Sequence, residues 1–450
     1  MIRLALILVV ALSAVARGDQ PAASARHPAG SPDAGLPLSA DPGPFYDDDI
    51  QHPLNKLHQL LFIADVSPVE ISGALPREVA AGTEADRPWY FRKRTGTPDD
   101  RRTFGGDVRV SPVLAWPQER TEALTETAGA VLAALQDGSL QTRSPLERLM
   151  LQWDVLGVWW RLEQQADTPP EVLDALARLI RGLAQPRTDL EKLPSGWSTA
   201  QSQFAGGPPG SLETPYFSAD DVVGRTNGWV ELERKSTKLF AAPQSLRAAR
   251  VFLKLPHSDL KAWVQQIASS SSARNDQRPP ERVETAMVLS MIGVSPDLEP
   301  VATPVIDEIR FRTVFAANET IDLDTTTSRD GSTLWLYFLS RGETRTAKEP
   351  RYRFVSGADQ TIFPEYGTAK HATYAAQCTL CHRLTNSGNQ APAGVRSLSS
   401  FAQPKVSDDP AHRLKLAEAQ MTVVTARLKE RLEAGPKPLP AATWDFRKLP

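Results

Sequence analysis

Residues 144–183 read SPLERLMLQWDVLGVWWRLEQQADTPPEVLDALARLIRGL, and this stretch sets the character of the first half of the chain. Leu149, Trp153, Leu156 and Trp160 recur at helical spacing, as do Val172, Leu176, Leu179 and Leu183. The spacing predicts two helices with facing apolar stripes. Ser144-Pro145-Leu146-Glu147 and Thr168-Pro169-Pro170-Glu171 place Ser or Thr at the N-cap, proline at N1 and glutamate at N3. Each reads as a capping box with a preset φ. The tryptophan-rich stripe reads as core packing, because its spacing is that of a buried helix face.

Towards the N-terminus, a helix is expected over about 119–137. An earlier one is marked by Leu54, Leu57, Leu60, Leu61 and Ala64, with structure beginning near Tyr46. Asp47-Asp48-Asp49 reads as a solvated or helix-capping cluster, since no further ligands follow at calcium-loop spacing. Towards the C-terminus, residues 186–245 are rich in loop formers. Gly206-Gly207-Pro208-Pro209-Gly210 is the clearest breaker, and it lacks the Lys-Ser/Thr of a phosphate loop. From about 248 the pattern turns to strands: 249–255, 283–294, 306–315 and 333–339, with a helix near 258–268. Ile309, Phe311, Thr313 and Phe315 alternate with Arg310, Arg312 and Val314, as in a sheet with one wetter face. The fold class that follows is α+β, a helix-rich then mixed-strand domain over 45–355.

Composition bounds the rest. The chain has 450 residues, 41% hydrophobic and 23% charged, with 37 prolines, two cysteines and a formal charge of −2. The length allows two or three domains. The near-neutral balance argues against a nucleic-acid partner, and two cysteines exclude a disulfide-stapled scaffold. Residues 1–16, MIRLALILVVALSAVA, have a positive n-region at Arg3, an apolar run and a small-x-small cleavage pattern. They read as an export signal. The run is too short for a membrane span, and residues 17–44 read as a Pro/Ala/Ser/Gly-rich tether. The expected mature protein is exported, periplasmic or extracellular, and soluble, with no transmembrane segment.

Both cysteines fall in one pentapeptide, Cys378-Thr379-Leu380-Cys381-His382. C-x-x-C-H is the signature of covalent c-type haem attachment. Two thiols three positions apart reach the two vinyl groups on one porphyrin edge, and the adjacent imidazole meets the iron. Three other readings of the pentapeptide stand beside this one: a thioredoxin-like redox dithiol, a single tight disulfide and an incomplete zinc site.

With Tyr374 four positions before Cys378, Pro392-Ala393-Gly394-Val395 and Leu398 after the motif, and a helical pattern over 411–434, the segment resembles the class I c-type cytochrome family. The resemblance implies a small all-α haem domain over 366–436, one covalent haem c held by Cys378 and Cys381, and His382 as proximal iron ligand. That family usually places its distal methionine in a loop. Here the sole methionine after the motif is Met421, inside the stripe Leu414, Ala417, Met421, Val424, Leu428, Leu432, which is helix-core spacing. Met421 therefore reads as core residue or distal ligand; His412 is its rival as ligand, and an open sixth position is a third arrangement. His371, two helical turns before Cys378, would share the proximal side.

The resemblance implies one-electron transfer between Fe(III) and Fe(II), with another exported redox protein as partner. Residues 366–450 carry 12 Lys/Arg against 6 Asp/Glu, which would steer an acidic partner or merely solvate a helix. The large domain shows no nucleophile elbow, HExxH, dinucleotide fingerprint or second CxxCH. If the chain is an enzyme, it is a haem-dependent oxidoreductase. The other readings are a haem sensor or binding module and a CxxC thiol redox protein.

Overall fold

A computed structural model describes residues 44–66, 102–104, 118–165, 167–197, 199, 222, 228–233, 246–254, 284–314, 332–355, 362–363, 372–373, 405–406 and 412–439. Its described part is mixed α+β, with helices packed on an antiparallel sheet. Helix α1 (Pro53–Phe62) leads to strand β1 (Ala64–Val66), which pairs with β2 (Arg102–Phe104). Helices α2 (Gln118–Gln136), α3 (Pro145–Glu163), α4 (Pro170–Gly182) and α5 (Arg187–Leu190) follow.

Then come strands β3 (Trp229–Glu233), β4 (Arg247–Lys254), β5 (Glu284–Val294), β6 (Pro300–Val314) and β7 (Ser332–Leu339). Helix α6 (Arg341–Ala347) turns the chain into β8 (Tyr352–Val355). The short strands β9 (Ile362–Phe363), β10 (Ala372–Thr373) and β11 (Lys405–Val406) precede the last helix, α7 (His412–Ala434). Seven strands form one sheet in the order β11-β3-β4-β5-β6-β7-β8, and every neighbouring pair in it is antiparallel.

Helix α3 is the axis of the packing. Fourteen of its nineteen residues are buried, so it is interior on nearly all sides rather than a one-stripe surface helix. It packs against α4 on one side and β5 on another, and Trp153, Trp159 and Trp160 are at most 1% exposed. Ser144 caps it as the spacing predicts, its hydroxyl accepting from the Glu147 amide at 3.1 Å. The Glu147 carboxylate reaches back to the Arg143 amide at 3.3 Å, one residue beyond a strict capping box.

The second capping box does not form. Helix α4 begins at Pro170 with Pro169 as N-cap and no side-chain cap bond. Proline disfavours helical geometry in the residue before it, so Pro170 moves the boundary one residue along. The Thr168 hydroxyl donates instead to the Leu162 carbonyl at 2.9 Å.

The strands expected from 283 and 306 prove to be two arms of one hairpin. Strand β6 starts at Pro300 rather than 306, after a turn over 295–299 with Leu298 in the left-handed region (φ 60°). Proline fits there as the first strand residue. The pairing shifts register between Leu289 and Ile292, a β-bulge that redirects the strand. The expected helix near 258–268 and residue Phe315 lie outside the described residues. Strands β3 and β8 and helix α6 have no counterpart in the periodicity.

Polar side chains stitch these layers together. Buried Gln152 donates to the carbonyls of Ile180 (3.2 Å) and Val294 (2.8 Å) and accepts from the Val294 amide (2.9 Å), joining α3, α4 and the end of β5. The Arg148 guanidinium donates to the Leu183 and Gly182 carbonyls at 3.0 and 2.6 Å. It thereby satisfies orphan carbonyls at the α4 C-terminus.

Candidate functional site

The haem-attachment residues Cys378, Cys381 and His382 lie outside the described residues, as do Tyr374 and His371. The described backbone brackets them. Strand β10 ends at Thr373, and the chain returns at β11, which pairs with β3 at the edge of the sheet opposite β8. The 366–436 region thus carries a strand of the main sheet. Helix α7, which the resemblance assigns to the haem domain, packs on β4, β5, β6 and α4.

The apolar face of α7, Ala417, Met421, Val424 and Leu428, belongs to the same core as α3. Met421 is 0% exposed, in agreement with its core spacing. His412 is the first residue of α7; its side chain lies outside the described residues. Charged pairs lock this helix down. Glu163 at the end of α3 accepts from Arg427 at 2.7 Å, with Arg431 at 3.4 Å. Glu418 meets Arg187 at 3.1 Å and accepts from the Ala302 amide at 2.8 Å.

The structure also brings together a cluster that sequence reasoning missed. Asp154 sits in the middle of α3, Arg247 opens β4, Asp307 and Glu308 lie within β6, and Arg341 opens α6. All five are at most 3% exposed. The Arg341 guanidinium donates to Asp154 Oδ1 at 2.7 Å and to the Leu339 carbonyl at 2.8 Å, and stands 3.5 Å from Asp307 Oδ1. Arg247 pairs with Asp307 at 2.8 Å and with Glu308 at 2.9 Å. Arg310, on the rim, closes on the other Glu308 oxygen. Three carboxylates thus stand among three guanidiniums, the balance that deep burial demands. The Trp153 ring lies 5.2 Å from the Arg247 guanidinium and 6.0 Å from that of Arg341, within cation–π range.

The N-terminal segment closes the cluster. The Tyr46 hydroxyl donates to Asp154 Oδ2 at 2.5 Å, and His58 Nδ1 lies 3.8 Å from the same oxygen. Burial, and then the Asp154 charge, push the Tyr46 pKa well above its usual value, so it stays a neutral donor. Burial alone would lower the Arg341 pKa. Asp154 and Asp307 outweigh that and raise it.

The loop before α1 is held by the Asn55 side chain, which accepts from the Phe45 and Tyr46 amides and donates to the Asp47 and Asp49 carbonyls. Asp47 and Asp48 pair with Arg143, and Asp48 also with Arg345. Asp48 and Asp49 are exposed, as a solvated cluster should be, while Asp47 and Asp48 also hold surface ion pairs; His52, not an aspartate, caps α1.

The cluster was readable in part. Asp154 is a lone acid in the apolar run LQWDVLGVWW, and Asp307-Glu308 interrupts an otherwise apolar strand between Ile306 and Ile309. A charge in such a place needs a buried partner. What the arrangement does chemically is neutralise and orient itself; each charge named has a counter-charge within the cluster. Among the described residues no group of three or more His, Cys, Asp or Glu is placed to hold a metal ion, and no helix is long and apolar enough to cross a membrane. No known protein family, curated protein or solved structure matches the chain.

Proposed function

We propose that this chain is an exported protein that binds one haem c covalently and carries one electron, in the manner of a c-type cytochrome. The observation that carries the reading is that both cysteines of the chain fall in Cys378-Thr379-Leu380-Cys381-His382. The donor set fits the group. Two thiols at this spacing supply two thioether links, and the adjacent imidazole supplies a nitrogen for the iron. When bound, the haem supplies a one-electron Fe(III)/Fe(II) couple whose potential burial and axial ligation set.

Cys378 and Cys381 would hold the porphyrin edge and His382 the proximal side. For the distal position Met421, buried in the core, and His412 at the start of α7 are the alternative ligands, with an open sixth position as the third arrangement. The export reading rests on residues 1–16, and extracytoplasmic location suits c-type haem attachment. Another exported redox protein is the partner this implies.

The test uses the full chain expressed in a host with c-type haem maturation machinery. The purified protein is expected to hold one haem per chain that survives acid–acetone extraction, and to lose it in Cys378→Ser/Cys381→Ser. Haem released by extraction, or a colourless protein with two titratable thiols, would overturn the reading in favour of a dithiol or other site.

A further inference from the structure

We draw no further inference here: the strongest candidate, the buried side-chain cluster of Asp154, Arg247, Asp307, Glu308 and Arg341 between helix α3 and strands β4 and β6, belongs to the site already described and its own ion pairs account for its burial.

Discussion

Replacing Arg341 with methionine keeps most of the side-chain stem and removes the guanidinium from the centre of the buried cluster. Asp154 then loses its 2.7 Å partner, and Asp307 loses a charge 3.5 Å away, although Arg247 still pairs with Asp307 at 2.8 Å. Removing one partner of a buried ion pair costs about 3–5 kcal/mol, because the remaining charge is left in a poorly solvating interior. Asp154→Leu removes the other side and also strips the Tyr46 hydroxyl of its acceptor, which adds about 1–3 kcal/mol for the orphaned donor.

The double variant leaves neither of those two charges, so its cost should fall short of the sum of the singles by at least about 2 kcal/mol. Urea unfolding at pH 7, followed by far-ultraviolet circular dichroism and tryptophan fluorescence, measures each arm. Unchanged urea slopes would show that only stability moved. An Arg341→Met cost below about 1 kcal/mol, or additivity of the two singles within about 0.5 kcal/mol, would refute the claim that these charges stabilise one another.

Met421→Ala should lower stability by about 2–5 kcal/mol, the range for truncating a core methionine, while the haem-bearing protein keeps its visible spectrum. A changed spectrum with little loss of stability would instead make Met421 an iron ligand. Gly196 has φ +81°, and a β-carbon there would collide with the Tyr352 hydroxyl and lie 2.8 Å from Pro350 Cβ. Gly435 has φ +63° with open space around it. Gly196→Ala should therefore cost well over the roughly 1 kcal/mol expected of Gly435→Ala in thermal or urea unfolding; equal costs would contradict the packing. The Asp47 pKa is held below its usual value by the Asp49 backbone amide first and then by Arg143, and that of Asp48 by Arg345 first and then Arg143. Folded pKa values below the unfolded ones mean that this stabilisation is present above the unfolded carboxylate pKa and is lost as pH falls through the folded values. The stability gap between wild type and Asp47→Asn should accordingly be constant near neutral pH and close in strong acid. A gap persisting below pH ~2 would show that it is not electrostatic.

Legibility followed the range of the interactions. Helices α1 to α4 and strands β4, β5 and β7 appear close to where periodicity predicts them, because each buries a face whose spacing is written locally. Helix α6 has seven residues and β8 four, too few for a period to declare itself. The 168–171 pattern failed because two successive prolines compete for the helix start, and steric restriction before Pro170 outweighs the threonine cap. The spacing of Leu149, Trp153, Leu156 and Trp160 predicts a single stripe, yet α3 is buried nearly all round. Its Gln152 and Asp154, polar by composition, find partners in the sheet and in α6.

By itself the sequence determined the longer local elements, the mixed α+β character and the pentapeptide on which the haem reading rests. These depend on side chains a few positions apart, whose spacing survives any folding of the rest. The tertiary structure decided which distant groups meet. Asp154 and Arg341 stand 187 residues apart, Arg247 and Glu308 61 apart, and Arg427 and Glu163 264 apart. It also decided that helix α7, whose stripe would suit any helical core, packs against β4, β5, β6 and α4. A stripe specifies that a face is buried and carries no address for its partner, whereas a buried charge is tolerated only where the fold delivers its counter-charge.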